Sequence, residues 1–185
     1  MVIHVSAMTE CLKRPSASIV RFGVTGMLGV LLLGPSISLS QIGASKSASA
    51  DPRVRRALQQ TDLKYDVDKD GDYKLHFTTE DNRTQLVFIE SKTEQWGNME
   101  IRVVRAAAYI GKVKLTRTKL ESLLRDTARR KSGAWELVEA GDTQMAQFTV
   151  KMSADCDPDG LKTVVWGVAR TADAMEKELT NSDDL

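Results

Sequence analysis

The fold is decided by residues 145–179, which read MAQFTVKMSADCDPDGLKTVVWGVARTADAMEKEL. Apolar and polar side chains alternate over residues 146–152, which is the period of a strand with one buried face. Asp157-Pro158 then supplies an N-cap followed by a proline at the first helical position. Beyond it, apolar residues recur at helical spacing: Leu161, Val164, Val165, Val168, Ala172, Met175 and Leu179. This stretch predicts a half-buried strand followed by a long amphipathic helix.

The chain before this stretch predicts a short helix and four strands. Asp51-Pro52 repeats the pattern of N-cap and proline and should open a helix that runs toward Thr61. Strands are expected at Leu63–Val67, Tyr73–Thr78, Gln85–Glu90 and Met99–Val103, with Asp70-Gly71 in the first hairpin turn. In the second strand, Tyr73, Leu75 and Phe77 should form the dry face.

The third strand carries more apolar residues than one buried face requires, and the fourth strand does not. The unbroken run Leu86–Ile89 predicts a strand that is covered on both faces. In the fourth strand, Met99, Ile101 and Val103 alternate with Glu100 and Arg102, as in a strand with one buried face.

The middle of the chain predicts a second helix and a second pair of strands. Thr118-Lys119-Leu120-Glu121 has the spacing of a capping box, and the helix it opens carries the apolar stripe Leu120, Leu123, Leu124 and Thr127 and ends before Gly133. Trp135–Val138 and Met145–Met152 should be strands joined at Gly141-Asp142. The order is helix, four strands, helix, two strands, helix. This order predicts an α+β fold with a mainly antiparallel sheet that carries the helices.

This order of elements resembles that of the YbjN-like family. The resemblance rests also on the Asp-Gly hairpin at residues 70–71, on the Trp135 strand before the last helix, and on the ending ARTADAMEKEL at residues 169–179. That family is described as candidate bacterial sensory-transduction regulators, and its fold is similar to that of type III secretion chaperones. The resemblance covers most of residues 51–180. It implies a non-enzymatic protein that binds protein partners, often as a dimer.

The first fifty residues have the order of a secretory signal peptide. Lys13, Arg14 and Arg21 precede the apolar run Phe22–Leu33, which ends at Gly34-Pro35. The run has about a dozen residues, whereas a membrane-spanning helix needs roughly 20, so an uncleaved anchor is the less favoured alternative. We expect a signal peptide at 1–40 with cleavage after Ser40 or Ala50, a flexible segment at 41–50, one domain at 51–180 and an acidic tail at 181–185. The protein should then be periplasmic or secreted, without an integral membrane segment.

Composition excludes several classes of protein. The chain has 185 residues, of which 42% are hydrophobic and 28% charged, which fits neither a membrane-embedded bundle nor a disordered chain. Its formal net charge of +1 gives no general attraction to nucleic acid. Beyond residue 50, Cys156 is the only cysteine and His76 the only histidine, and neither lies in a known nucleophile motif. We therefore expect a protein that is not an enzyme and has no cofactor.

The segment Asp66–Asp72 has part of the pattern of a calcium-binding loop. Asp66, Asp68 and Asp70 occupy loop positions one, three and five, and Gly71 occupies position six. Phe77 stands at position twelve, where a bidentate glutamate is needed. The sequence favours a solvated hairpin and leaves a small calcium-binding exported protein, or an enzyme accessory, as the alternative.

Four residues are candidates for binding a partner. Residues 102–131 carry ten basic and two acidic side chains, among them Arg125 and Arg129 on the second helix. This block could dock an acidic protein or anionic lipid headgroups. Trp166 stands beside the apolar stripe of the last helix, on a face shared with Arg170. An exposed tryptophan is typical of binding hot spots. The alternatives are a solvated basic face and a tryptophan that covers the edge of the sheet.

Overall fold

The structure, a computed structural model, describes residues 49–185. The predicted signal peptide at 1–40, the cleavage site after Ser40 and the segment 41–48 lie outside the described residues. The helices are α1 (Pro52–Leu58), α2 (Arg117–Arg129) and α3 (Pro158–Thr180). The strands are β1 (Asp66–Val67), β2 (Tyr73–Thr78), β3 (Thr84–Trp96), β4 (Met99–Gly111), β5 (Ala134–Ala140) and β6 (Thr143–Ser153), and a 3₁₀ turn spans Glu80–Asn82. The predicted order of elements is confirmed.

The six strands form one antiparallel sheet in the order β1-β2-β3-β4-β6-β5. Helix α3 packs across β3, β4 and β6, α1 packs on α3, and α2 packs on β5. The core joins apolar residues of all three helices to one face of the sheet. The fold is therefore α+β, with helices on one face of a mainly antiparallel sheet, as the sequence predicted.

Several local predictions are confirmed because short-range chemistry determines them. The side chain of Asp51 accepts a hydrogen bond from the backbone N–H of Arg53 at 2.8 Å, and that of Asp157 accepts from Gly160 at 2.8 Å, so both are N-caps. Gly71 and Gly141 take positive φ angles of 87° and 61° in the predicted hairpin turns.

The predicted start of α2 at Thr118 is wrong. The N-cap is Thr116, whose hydroxyl accepts from the backbone N–H of Lys119 at 3.5 Å. The preceding Leu115 is buried in the core and lies five positions before Leu120, which is the spacing of a hydrophobic staple. Burial of Leu115 therefore decides where the helix begins. Leu124, predicted on the apolar stripe, is 67% exposed because α2 meets the sheet only at its edge strand β5.

The prediction that β3 is covered on both faces is wrong, and the alternation in β4 left open which of its faces is buried. In β3, Val87 and Ile89 are buried, whereas Leu86 and Phe88 are only half-buried, so helices cover one face and not both. In β4 the buried set contains Arg102 and Val104. Met99, Ile101 and Val103 therefore point away from the helices. Strand periodicity separates two faces but does not say which one meets the helices.

The predicted first strand, Leu63–Val67, is mostly not part of the sheet. Only Asp66 and Val67 pair with β2, opposite Lys74 and Tyr73. Leu63 and Tyr65 pack against the core without joining the ladder. Strands β3 and β4 are instead longer than predicted, at 13 residues each.

Candidate functional site

The structure does not bring His76 and Cys156 together. His76 is exposed on β2, on the face away from the helices, and Cys156 is half-buried after the end of β6. Strands β3 and β4 lie between them, so the two residues are at least roughly 14 Å apart at the usual strand spacing. Burial and the neighbouring Asp157 carboxylate raise the pKa of the Cys156 thiol, which disfavours the nucleophilic thiolate. No catalytic pair is formed by these two residues.

The aspartates of the 66–72 loop hold a hairpin turn. Asp68 Oδ1 accepts hydrogen bonds from the backbone N–H groups of Asp70 at 2.9 Å and Asp72 at 3.0 Å. Asp72 Oδ1 accepts from the backbone N–H of Ser91 at 2.9 Å, and burial raises the pKa of this carboxyl. Within residues 49–185, no three carboxylates of this loop converge closely enough to hold an ion. The geometry gives no support to the calcium alternative, which stays a prediction from the sequence.

Three carboxylates do converge elsewhere, around Arg83. Asp173, Glu176 and Asp183 have oxygen atoms within 4.8 Å of one another. Arg83 lies among them, with its Nε 2.6 Å from Asp173 and its Nη2 3.2 Å from Glu176. The positive charge that these carboxylates need is therefore supplied by the chain itself.

The candidate residues on α3, Trp166 and Arg170, contact each other, and Trp166 also contacts the sheet. The ring of Trp166 packs edge-to-face on Phe77 of β2, with the ring centroids 4.6 Å apart. The guanidinium of Arg170 lies over the same ring at 5.4 Å. Trp166 thus covers the edge of the sheet, which was the alternative to an exposed binding residue.

The candidate residues on α2 are exposed to solvent. Arg125 forms an ion pair with Glu121 at 3.2 Å one turn earlier, and Arg129 lies in the last turn of the helix. Beside them, a groove of about 150 Å³ separates α2 from β5 and is lined by Leu120, Leu123, Leu124, Trp135 and Leu137. Surface ion pairs of this kind contribute little to stability, so these arginines are available to a partner.

The sheet face away from the helices is covered by no helix of residues 49–185; we call it the open face. Its centre is an apolar stripe formed by half-buried residues of β3 and β4: Leu86, Phe88, Ile101, Val103 and Ala107. The pairing of β3 with β4 places these side chains on one side of adjacent strands. Leu86 and Phe88, which led to the prediction of two covered faces in β3, belong to this stripe.

Several polar groups beside the apolar stripe of the open face are paired within the chain. Arg105 Nε donates to Glu90 at 2.8 Å, and its guanidinium lies over the ring of Phe88 at 4.9 Å. The amide of Gln147 and the hydroxyl of Thr149 both donate to the Glu136 carboxylate, at 3.1 and 3.0 Å. A surface whose polar groups are already paired loses few hydrogen bonds to water when another surface covers it.

The β3–β4 hairpin extends the open face beyond the other strands. The last pairs made by β2 and β6 are Tyr73 with Ile89 and Ser153 with Ile101, and the carbonyl of Glu100 also accepts from the backbone N–H of Ala154 at 2.9 Å. Beyond Glu100, the strands of the hairpin tip pair only with each other. We call residues 93–100 the arm. Its two-residue turn has Gly97 at a φ of +63°, which suits the twist of a hairpin. Trp96 and Met99 flank the turn and are 72% and 48% exposed. The apolar stripe therefore continues to an exposed tryptophan at the tip.

Comparisons with known proteins assign no family to this chain. No family model matches it, and no match was found among the curated proteins. The YbjN-like resemblance therefore stays a prediction from the sequence. Among residues 49–185, no helix has the combination of length and hydropathy that crossing a membrane demands.

Proposed function

We propose that this chain is an exported, non-enzymatic protein-binding module of YbjN-like fold, and that the open face is its binding surface. One observation carries the proposal: a sheet face that no other part of residues 49–185 covers has an apolar stripe flanked by polar groups that are already paired. Soluble proteins rarely leave a large contiguous apolar surface exposed unless another molecule binds it. A regulatory or chaperone-like role in the periplasm, or outside the cell, fits a module of this kind.

The chemistry of the described residues supports binding more than catalysis. The single histidine and the single cysteine of residues 49–185 lie on different parts of the fold. In this part of the chain, Arg83 and Arg53 each form ion pairs with two or more neighbouring carboxylates, so these charges neutralise one another. Turnover of a small molecule that disappears with His76→Ala or Cys156→Ser would contradict the proposal.

The test compares Val103→Lys, in the middle of the stripe, with the matched control Thr163→Lys on the exposed side of α3. Each protein is immobilised and exposed to an envelope extract of its host, with an untagged copy of the chain added. We expect one protein, which can be the untagged copy, to bind the wild type and the control but not Val103→Lys. Identical binding to all three proteins would overturn the proposal. Thermal melts of all three proteins confirm that they are folded.

A further inference from the structure

We infer that the groove between α2 and β5 binds an extended acidic peptide segment of another protein, which adds a strand to the sheet at the free edge of β5. This groove is separate from the open face, so the inference goes beyond the proposed function and does not depend on it. Strand β5 ends the sheet and pairs only with β6. An edge strand of this kind offers a row of unpaired N–H and C=O groups to another chain.

The hydrogen bonds of β5 identify which of its backbone groups face outward. In an antiparallel pair of strands, alternate residues direct their N–H and C=O groups away from the partner strand. The N–H of Trp135 points away from β6, because it donates to the Thr127 hydroxyl of α2 at 3.1 Å. Leu137 and Glu139 lie two and four positions further along β5, so their backbone groups also face outward. Among residues 49–185, no strand or turn pairs with these groups.

The edge of β5 lacks the features that usually prevent pairing with another chain. Lysine, proline and β-bulges are the common protections of an edge strand. Residues 134–140 read AWELVEA, and their register with β6 is continuous. The carboxylate of Glu136 accepts hydrogen bonds from β6, and that of Glu139 is paired with Lys114 at 3.0 Å. An added strand therefore meets no proline and no bulge at this edge.

The groove beside this edge suits the side chains of an added strand. It has a volume of about 150 Å³ and is lined mainly by leucines, of which Leu124 and Leu137 are 67% and 45% exposed. Every second side chain of a strand beside β5 points to the same side of the sheet as Leu137, and so into the groove. Backbone hydrogen bonds combined with pockets for alternate side chains are a common mode of peptide recognition. An extended backbone is the ligand that satisfies both features at once.

The charges of α2 favour an acidic segment. Arg117 and Arg125 are exposed and share one carboxylate, that of Glu121, at 2.9 and 3.2 Å. Residues three and four positions apart form rows along a helix, so this row runs beside the one that contains Leu124. The helical wall of the groove therefore has an excess of positive charge. A carboxylate of the bound segment would gain a charge-assisted hydrogen bond there.

The first test uses a phage-displayed library of short random peptides, selected on the protein recovered from expression of the full chain. We expect the enriched peptides to carry apolar residues at alternate positions and a net negative charge. Leu124→Glu should raise the dissociation constant of the most enriched peptide about tenfold or more, because it places a carboxylate in the groove. The matched control Thr163→Glu, on the exposed side of α3, should change it by less than about twofold.

Amide hydrogen exchange, followed by NMR, tests the backbone hydrogen bonds directly. The N–H groups of Leu137 and Glu139 should exchange rapidly in the free protein and about tenfold or more slowly with the peptide bound. Those of Glu136 and Val138, which face β6, should be protected in both states.

Two methylated copies of the peptide give a matched comparison. Each copy is methylated on one alternate set of backbone nitrogens, so its side chains are unchanged and the N–H donors of one edge are lost. We expect the copy that loses the donors facing β5 to bind about tenfold or more weakly than the other.

The outcomes separate this inference from the proposed function. A library that yields no enriched peptide, or a bound peptide that leaves Leu137 and Glu139 unprotected, overturns the inference. Protection of these amides in the free protein, together with a mass that rises with concentration, would show that β5 pairs with a second copy, which also overturns it. Val103→Lys, in the open face, should leave peptide binding unchanged. The proposed function fails only if its own capture experiment fails.

Discussion

Arg102 and Asp51 form a buried ion pair that ties the start of α1 to the middle of the sheet. Arg102 is 1% exposed, and its Nη2 donates to Asp51 Oδ2 at 2.5 Å. Its Nη1 donates to the backbone carbonyl of Glu90 at 2.6 Å. That carbonyl lies in a β-bulge, where residues 90–92 of β3 stand opposite Val103 alone. The guanidinium of Arg102 therefore hydrogen-bonds both to the carboxylate of the N-cap residue of α1 and to a backbone carbonyl in the bulge.

Breaking this pair should destabilise the protein strongly. Asp51→Asn keeps a side chain that can cap α1 but removes its charge, so Arg102 is left buried without a counter-ion. We expect the free energy of unfolding in urea to fall by roughly 3 kcal/mol. Arg56→Leu, on the exposed side of α1, is the matched control and should change stability by no more than about 0.5 kcal/mol. Equal effects of the two substitutions would contradict this role of the pair.

The same network predicts loss of stability in acid. Hydrogen bonds from Arg53 and Arg102 hold the pKa of Asp51 well below its usual range against the effect of burial, and Arg53 lowers the pKa of Glu100 to about 2. Because these carboxyl groups have a lower pKa in the folded state than in the unfolded state, they stabilise the fold above about pH 4. That contribution is lost as the pH falls from about 4 toward 2. Urea unfolding from pH 7 to pH 2 should show a steeper acid decline in the wild type than in Asp51→Asn, and parallel curves would refute the linkage.

Ionisation of Glu176 should affect the stability of the fold in the opposite direction. It is 1% exposed, and burial raises the pKa of its carboxyl despite the nearby Arg83 guanidinium. A carboxyl whose pKa is higher in the folded state destabilises the fold when it is ionised at neutral pH. We expect the stability of the wild type relative to Glu176→Gln to increase as the pH falls from 7 toward 4.5. A difference between the two proteins that is independent of pH over this range would show that Glu176 does not titrate in this way.

Calcium should leave the melting temperature unchanged. Asp68 and Asp72 already accept hydrogen bonds from the backbone, and Phe77 replaces the carboxylate that would close a calcium site. A bound ion raises the melting temperature according to its occupancy, so a melt at about 5 mM calcium is a sensitive measurement. A rise that magnesium does not reproduce and that Asp70→Asn removes would establish the calcium alternative.

Trp166→Ala should lower the stability of the domain. The substitution removes the edge-to-face contact with Phe77 and the stacking of Arg170, and we expect a loss of about 2 kcal/mol for a ring that is half-buried. Trp166→Phe should recover part of this loss.

The partner-binding role predicted for Trp166, Arg170, Arg125 and Arg129 needs a separate measurement. The double variant Arg125→Glu and Arg129→Glu replaces exposed side chains, so it should fold like the wild type. Weaker binding by this variant of the protein that the wild type captures from the envelope extract would support a binding role for α2. Unchanged binding would leave the open face as the interaction surface.

Three residues, Asp157, Thr116 and Arg102, show which features of the structure the sequence could predict and which it could not. Asp157 was identified as an N-cap because its partner, the N–H of Gly160, is three residues away. Thr116 was missed because the burial of Leu115, and not the spacing of a capping box, decides where α2 begins. Arg102 was assigned to the face opposite the apolar residues of β4, and nothing local shows that its charge is neutralised by Asp51, 51 positions earlier.

The sequence by itself determined the order of the elements, both proline-marked helix starts and the glycine turns, because each depends on contacts within a few residues. Only the tertiary structure decided which face of β3 and β4 meets the helices. That choice depends on the summed burial of side chains from the whole chain, and on ion pairs such as that of Arg83 with Asp173, 90 positions away. The open face is a consequence of this choice, since it carries the apolar residues that the helices leave uncovered.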